Sequence, residues 1–464
     1  MVFNVRYLFT HYEAAKPPFR MRFGQPATPV NLWGFARTRE DVENERAIVE
    51  KELEGLKKKS PFEIEFGGGN IISTEFEVFD ISKELSEADA IIVYGTTDFA
   101  NILDAVAAFN LPTIVFIKVY LGENLYEQAE VINPRFLRGE TDQLVIKDPN
   151  IHVIFDDYDR LLRVLTAMNA IKKARNTRVL CLGAPYGWQF RYREVRAAQR
   201  KLGLKVSYVT YSEFTELIRR ASKDAEIESK AEKIATETSQ KALKVVEPSR
   251  EDLVKAVTAY LVVEKLVKDR NANAVTVSDC FSAFPSITGT PACMILSKLN
   301  DQRIVAGCEG DFNTLAAQLI LSYVSDRPVC FLDPIVHPEA NKVIVAHCTS
   351  PLLMEGYEGQ KKPYILRSQD SSNAGVAVQL VHPEGQEVTL ADPSFDLEKM
   401  VVTKGKILRN TDYPICRNQI EVEVADSKKL WENWVGFHWV MVYGDYIEEM
   451  QEACKMLGIE CIVV

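Results

Sequence analysis

Residues 90–94 of the chain read AIIVY, residues 113–117 read TIVFI and residues 153–155 read VIF. Each of these apolar runs is followed by turn or helix residues, and residues 38–59 carry the apolar stripe of an amphipathic helix. Continuous apolar runs predict strands that are covered on both faces, which is typical of parallel sheets with helical crossovers. The first 175 residues are therefore predicted to form an α/β domain.

The same pattern begins again with residues 178–183, RVLCLG, and predicts a second α/β domain. After residue 350, apolar and polar residues alternate, as in 376–381, which is typical of antiparallel strands. The predicted fold class is α/β, with two doubly wound parallel-sheet domains, Rossmann- or flavodoxin-like, and a C-terminal domain with an antiparallel β-barrel. The predicted domains are an N-terminal α/β domain, a central α/β domain and a β-rich domain with a returning α/β end, over 1–175, 176–350 and 351–464.

The composition excludes several classes of protein. The net charge is −10, so the chain lacks the positive field of a nucleic-acid-binding protein. No run of about 18 apolar residues predicts a membrane span, and the N-terminal MVFNVRYLFTHYEAAKPPF is charged where a signal peptide is apolar. The nine cysteines show no C-x-x-C spacing, which argues against a zinc knuckle or a disulfide framework. We therefore expect a cytoplasmic protein with buried, reduced thiols and no nucleic-acid or membrane partner.

Acidic and imidazole side chains follow three successive predicted strands. Glu309 comes after RIVAGC, Asp333 after VCFL and His347 after KVIVA. These strands are predicted to be parallel, so their carboxyl ends would meet at one edge of the sheet, where open α/β sheets bind ligands. His438 is a fourth candidate, because the chain has only six histidines. Two carboxylates and an imidazole suit Mn²⁺, Mg²⁺ or Co²⁺ better than structural zinc, and such an ion can hold two neighbouring sugar oxygens.

Simpler interpretations are open at each position. The three strand-end residues can be capped turn residues, and His438 can be a satisfied histidine in an apolar strand. Asp311 is better explained as the N-cap of the following helix. Trp188, in the turn GAPYGW, belongs either to a tight turn or to a surface that lies against a sugar.

Two regions of the chain, clearest over 275–350 and 433–446, resemble the L-fucose isomerase and L-arabinose isomerase family. The 24-residue gap from Glu309 to Asp333 resembles the fucose isomerase spacing. The segments that carry the resemblance are ACMILSKLN at 292–300, AGCEGD at 306–311, FLDP at 331–334, AHC at 346–348, FHW at 437–439 and YGD at 443–445.

The resemblance implies two α/β domains, a C-terminal domain containing a barrel, and a Mn²⁺-dependent aldose–ketose isomerase that works as a trimer or hexamer. The family's metal-binding glutamate, aspartate and late histidine correspond to Glu309, Asp333 and His438. Arabinose isomerases use a second glutamate, so Asp333 favours the fucose isomerase side. His347 stands where arabinose isomerases carry a further histidine. We predict that His347, Trp188 and Arg20 contact the substrate.

Aldose–ketose isomerisation gives these residue types a chemical role. The reaction moves a proton between C1 and C2 of the sugar and places negative charge on O1 and O2, which a divalent cation stabilises. A carboxylate must take the proton from one carbon and return it to the other. Glu309 and Asp333 are therefore predicted to be both metal ligands and acid/base groups.

Two alternatives concern the substrate and the activity. The substrate can be a modified aldose, sulfonated or acidic, and Arg191, Arg193, Arg20 and Arg22 are candidate partners for its charged group. The chain can instead be a non-catalytic sugar-binding protein, although such receptors are secreted and need no paired acidic residues. We also expect the N-terminal domain, through residues such as Arg20, to cover the site of a neighbouring subunit in a homo-hexamer or homo-trimer.

Overall fold

The structure is a computed structural model that describes residues 2–11, 39–95, 100–118, 150–186, 190–280 and 282–464. The chain forms two compact units, Met1–Asn169 and Ala170–Val464. None of the described helices is long and apolar enough to cross a membrane. Arg20 and Trp188, which are predicted to contact the substrate, and Arg22, a candidate partner of a charged sugar, lie outside the described residues.

The described helices are numbered in chain order. They are α1 (Arg39–Lys59), α2 (Glu75–Asp80), α3 (Ser82–Ser86), α4 (Ala100–Ala107), α5 (Tyr158–Arg175), α6 (Tyr192–Leu202), α7 (Tyr211–Ala221), α8 (Ala225–Lys241), α9 (Arg250–Asp269), α10 (Ala283–Thr288), α11 (Cys293–Asn300), α12 (Phe312–Ser325), α13 (Ser427–Glu432) and α14 (Ile447–Met456).

The first unit is built on a five-stranded sheet in which each strand runs parallel to its neighbours. Its order is β2-β1-β3-β4-β5, an order found in doubly wound folds. The strands predicted from the apolar runs at 90–94 and 113–117 have those bounds and are buried along their whole length. The strands are β1 (Phe3–Thr10), β2 (Ile64–Ile72), β3 (Ala90–Tyr94), β4 (Thr113–Ile117) and β5 (Ile151–Phe155).

The second unit begins with a four-stranded parallel sheet, which confirms the prediction of a second α/β region. Its order is β10-β9-β6-β7, so it repeats the arrangement of the first four strands of the other sheet. Helix α9 starts at a capping box in which Ser249 and Asp252 bond to each other's backbone N–H. The strands are β6 (Arg178–Leu182), β7 (Lys205–Val209), β9 (Ala274–Val277) and β10 (Val305–Gly307).

Most of the remaining strands form a closed antiparallel barrel in the ring order β15-β18-β11-β12-β17-β16. β19 joins β16 in parallel, and a separate three-stranded sheet has the order β14-β13-β8. The strands are β8 (Lys244–Val245), β11 (Cys330–His337), β12 (Lys342–His347), β13 (Tyr364–Arg367), β14 (Ala377–Leu380), β15 (Glu387–Pro393), β16 (Lys399–Asn410), β17 (Asn418–Val424), β18 (Trp439–Tyr443) and β19 (Glu460–Val463).

The predicted barrel is confirmed, but it is not confined to the segment 351–464. It includes β11 and β12, which the sequence analysis assigns to the central parallel sheet. Helix α12 packs against β11, β15 and β18, and the first three residues of β11, Cys330 to Leu332, are all buried. This stretch therefore has the continuous apolar composition of a parallel strand. The division into three domains at residues 175 and 350 stays a prediction.

The parallel sheet and the barrel share one hydrophobic core. Leu180 and Val275 of the sheet belong to the same buried cluster as Phe331 and Val422 of the barrel. Side chains at the carboxyl ends of the parallel strands can therefore meet side chains of the barrel.

Candidate active site and metal-binding residues

Three neighbouring barrel strands place His438, Asp333 and His347 side by side. β11 runs antiparallel to β12, and Asp333 pairs with Ala346, the residue before His347. On its other side, β11 pairs with β18 through Leu332 and Trp439. His438 directly precedes β18 and is thus brought beside Asp333.

The residues meet by a different route from the one predicted. Asp333 does not end a parallel strand, because β11 continues through Pro334 to His337. Only four residues separate β11 from β12. A parallel crossover needs a dozen or more residues, whereas a hairpin needs few. A connection of this length therefore requires β11 and β12 to be antiparallel.

Glu309 reaches the same place from the parallel sheet. It follows β10, and both Glu309 and Gly310 have left-handed backbone angles, with φ of 60° and 62°. The N–H of Gly310 donates to Thr276 Oγ1 at 3.1 Å, and a Cβ at Gly310 would lie 2.6 Å from the backbone nitrogen of Tyr186. The turn between β10 and α12 is therefore held tightly, with the side chain of Glu309 buried beneath it.

The functional atoms of the four predicted residues lie close together. His438 Nε2 is 3.3 Å from Asp333 Oδ1 and 3.6 Å from Glu309 Oε2, and His347 Nε2 is 3.9 Å from Glu309 Oε1. Glu309, His347 and Asp333 line a cavity of about 120 Å³. Glu309 and both histidines are buried, whereas the side chain of Asp333 is 39% exposed. The partly exposed carboxylate of Asp333 thus lies beside three buried side chains, Glu309, His347 and His438.

Asp311 orients the imidazole of His438. Its Oδ2 lies 2.7 Å from His438 Nδ1 and also accepts a hydrogen bond from Thr314 Oγ1 at 2.9 Å. Burial by itself would lower the pKa of His438, but the bond to Asp311 and the charges of Asp311, Glu309 and Asp333 together raise that pKa above its ordinary value. With Nδ1 directed at Asp311, Nε2 faces the two other carboxylates, the arrangement that carboxylate–histidine pairs give metal ligands.

The donor set fits a divalent metal ion. Glu309, His347 and His438 can each offer one atom within 4.8 Å of the others, and His438 Nε2 makes no hydrogen bond with any described residue. Neighbouring ligand atoms of an octahedral ion with bonds of about 2.1 Å lie about 3.0 Å apart. The measured separations of 3.3 and 3.6 Å between His438 and the two carboxylates are close to this value. Buried carboxylate and imidazole groups here can hold a metal ion.

The cavity is also lined by cysteines, which the sequence analysis did not place at the site. All nine cysteines are free thiols and seven are buried, as predicted. Their sequence spacing carries no sign that they converge. The five that line the cavity are Cys280, Cys293, Cys308, Cys348 and Cys416.

Glu194 is a second residue that the sequence analysis missed. It is buried on α6, and its Oε1 accepts a hydrogen bond from the Phe190 N–H at 2.9 Å. Burial, together with the nearby charge of Asp311, raises the pKa of Glu194 to about 7. Glu194 shares the buried face of α6 with Ala198 and Leu202. A carboxylate in line with this apolar stripe is the signal that could have found it.

Asp311 is the helix N-cap that the sequence predicts, and it also has a second role. Its Oδ1 accepts a hydrogen bond from the Thr314 N–H at 3.0 Å, so Asp311 is the N-cap of α12. The bond to His438 is a second role, visible only in the tertiary structure. Arg191 and Arg193, predicted as partners of a charged sugar, are exposed just before and within α6, over the rings of Tyr186 and Phe190.

Known proteins similar to this chain are named sulfoquinovose isomerase. The one from Priestia megaterium (strain ATCC 12872 / QMB1551) is 24% identical over 325 residues, which are 65% of this chain and 68% of that protein. The one from Alkalicoccus urumqiensis is 22% identical over 416 residues, 82% of this chain and 88% of that protein. No protein-family model matches the chain. These distant relatives confirm the prediction of an enzyme: the chain is a sugar isomerase of the aldose–ketose kind.

Proposed function

We propose that the protein is a metal-dependent aldose–ketose isomerase and that its substrate is a sulfonated aldose. The observation that carries the proposal is the convergence of Glu309, Asp333 and His438, with atoms 3.3 to 3.6 Å apart, beside a cavity. The name of the relatives, sulfoquinovose isomerase, supports the sulfonated substrate.

Glu309, Asp333 and His438 would hold the ion, most simply Mn²⁺, with Mg²⁺ or Co²⁺ as substitutes. The bound ion supplies positive charge that stabilises negative charge on two neighbouring sugar oxygens. Asp311 keeps His438 Nε2 directed at this position, and the burial of Glu309 and His438 limits the access of water.

Proton transfer is proposed for the carboxylates. Asp333 is the more exposed of the two and can reach a sugar carbon while one of its oxygens stays near His438. It takes a proton from C2 of the aldose and returns it to C1, while the proton of the O2 hydroxyl passes to O1, with Glu309 as the second acid/base candidate. Nδ1 of His347 makes no hydrogen bond with the described residues and is proposed to bind a sugar hydroxyl.

Metal removal and two substitutions test this proposal. Stripping with EDTA should abolish ketose formation and Mn²⁺ should restore it. Glu309→Gln should lower kcat about 10²–10³-fold, because it removes a charge and an acid/base group. It should also weaken Mn²⁺ binding measured by calorimetry.

Glu339→Gln is the matched control, because Glu339 is exposed in the hairpin between β11 and β12. It should keep wild-type rates. Full turnover of the metal-free protein would falsify the metal site. Binding of the sulfonated aldose without ketose formation in the Mn²⁺-loaded protein would contradict the proposed substrate.

Arg191 is the proposed partner of the sulfonate group. Tyr186 lies against Gly310 of the active-site turn, and the Arg191 guanidinium lies 5.5 Å from the centroid of the Tyr186 ring. Arg191→Ala should raise KM for sulfoquinovose about tenfold or more, because a charge-assisted hydrogen bond is lost. KM for the same aldose without the sulfonate should change little.

Arg196→Ala is the control, since Arg196 is exposed on α6, the helix that begins directly after Arg191. If Arg191→Ala raises KM equally for both sugars, Arg191 does not bind the sulfonate, and Arg193 or Arg20 becomes the candidate for that role.

A further inference from the structure

A second and larger cavity lies in the unit Ala170–Val464. It has a volume of about 550 Å³, within the range of about 300–1,000 Å³ that is typical of small-molecule sites. Helices α8 and α11 and strands β13 and β14 supply most of its wall. It shares no lining residue with the candidate active site. A ligand of this cavity would therefore be separate from the sugar substrate.

The cavity has an apolar wall and an excess of positive charge. Met294, Leu352, Leu366 and Val378 form part of the apolar wall. The charged lining residues are four lysines and a single carboxylate, Lys241, Lys298, Lys361, Lys362 and Glu237. An apolar body with an anionic group is the chemistry that complements such a lining.

Two of the lysines have acidic partners and two do not. Lys361 Nζ lies 3.0 Å from Asp301 Oδ2, and Lys362 pairs with Glu355. Lys241 and Lys298 form no ion pair with any residue that the structure describes. The four lysines face one lining carboxylate, Glu237, and the two acidic partners Asp301 and Glu355, so the cavity keeps a net positive charge.

Lys298 is a partly buried cation that has no ion-pair partner among the described residues. It is partly buried, its Nζ donates to Thr238 Oγ1 at 3.3 Å and lies 5.7 Å from the centroid of the Tyr260 ring. Burial, together with the charge of Lys361, lowers the pKa of Lys298 to about 8. Removing an ammonium group from water is costly unless an opposite charge accompanies it. A bound anion would supply that charge.

We propose that this cavity binds an organic acid whose anionic group, a phosphate, sulfonate or carboxylate, is held by Lys298 and Lys241 while its apolar body packs against Met294, Leu352 and Leu366. The proposal does not depend on the isomerase reaction, because it concerns a separate cavity.

The aromatic sulfonate 8-anilinonaphthalene-1-sulfonate is a suitable fluorescent probe. It should bind saturably to the folded wild-type protein, with one site per chain. Lys298→Met should weaken the binding about tenfold or more, and Lys241→Gln should weaken it as well, because each removes a cation from the anionic group. Lys265→Gln, at an exposed position of α9 outside the cavity, should leave the affinity unchanged.

Competition identifies the preferred anion. Naphthyl phosphate, naphthalenesulfonate and naphthoate should displace the probe, and the strongest of them names the head group. Neutral naphthol should displace it at least tenfold more weakly. Equal displacement by naphthol, or an unchanged affinity of the folded Lys298→Met variant, would overturn the proposal.

Two further measurements distinguish binding in this cavity from unfolding and from binding in the candidate active site. Lys298→Met should keep the wild-type unfolding temperature or raise it, since a partly buried charge without an ion-pair partner is removed, so weaker binding would not reflect unfolding. The Glu309→Gln variant should bind the probe normally. Loss of binding in Glu309→Gln would place the probe in the candidate active site and contradict the second site.

Discussion

The two carboxylate oxygens of Asp311 have different roles. Oδ1 caps α12 by accepting a bond from the Thr314 N–H, and Oδ2 holds His438 Nδ1 at 2.7 Å. The first role needs only an oxygen acceptor, whereas the second needs an acceptor directed at the imidazole N–H. The two roles can therefore be separated by a single substitution.

Asp311→Asn should impair the site while preserving the helix. Asn caps helices about as well as Asp, but with its oxygen used for the cap, its amide N–H₂ would face His438 Nδ1. His438 would then carry its proton on Nε2 and could not use that nitrogen as a ligand. Mn²⁺ affinity and kcat should each fall about 10–100-fold, measured by calorimetry and ketose formation.

Asp224→Asn is the matched control, because Asp224 caps α8 and accepts bonds from the N–H groups of Glu226 and Ile227. Both variants should unfold within about 1 kcal/mol of the wild type. Wild-type metal affinity in Asp311→Asn would reduce Asp311 to a simple helix cap.

Of the elements, the turn from β10 into α12 limits the geometry of the site most. Glu309 and Gly310 are both left-handed, a conformation that costs an L-residue about 1–2 kcal/mol and costs glycine almost nothing. The unfavourable conformation of Glu309 therefore occurs at the residue that supplies the buried carboxylate of the site. Backbone strain of this kind is frequent at functional sites.

Gly310→Ala should destabilise the protein and lower its activity. The added Cβ meets both a left-handed φ of 62° and the backbone nitrogen of Tyr186 at 2.6 Å, so the turn must move. We expect the free energy of unfolding in urea to fall by more than about 2 kcal/mol. Ketose formation should fall because Glu309 shifts with the turn.

Gly458→Ala isolates the contribution of the contact. Gly458 has the same φ of 62°, but the nearest atom to its Cβ is the flexible Lys201 Nζ at 4.0 Å. It should cost only the backbone term of about 1 kcal/mol. Equal losses in the two variants would show that the packing against Tyr186 does not constrain the site.

At the scale of the whole molecule, the described residues of the candidate site form a cavity that is smaller than a sugar needs. The cavity formed by the described residues measures about 120 Å³, below the roughly 300 Å³ at which small-molecule sites begin. The family resemblance implies closure by a neighbouring subunit in a trimer or hexamer. We keep this assembly, and the role of Arg20 in it, as predictions.

Mixed oligomers test the shared site. Arg20→Ala and Glu309→Gln chains should each be weak alone, and mixtures allowed to exchange subunits should regain part of the rate, because some sites then have both residues intact. Sedimentation should show a trimer or hexamer. If exchange occurs and no activity returns, the N-terminal region does not complete a neighbouring site.

The agreement between sequence and structure varies with the kind of feature. Residues 90–94 and 113–117 could be assigned to strands with their bounds, because a short continuous apolar run fits few other structures. The pairing of β11 with β12 and β18 could not be read from apolar composition, since both parallel and barrel strands can be covered on two faces. The convergence of the five cysteines was also hidden, because they come from separate segments.

The sequence by itself determined the parallel α/β character, the presence of a barrel and four of the residues that meet, because these depend on local composition and residue type. Only the tertiary structure decided how they meet. Glu309 comes from the carboxyl end of a parallel strand, whereas Asp333, His347 and His438 come from adjacent antiparallel strands. Local patterns report burial, but strand direction and partner are set by long-range pairing and the shared core.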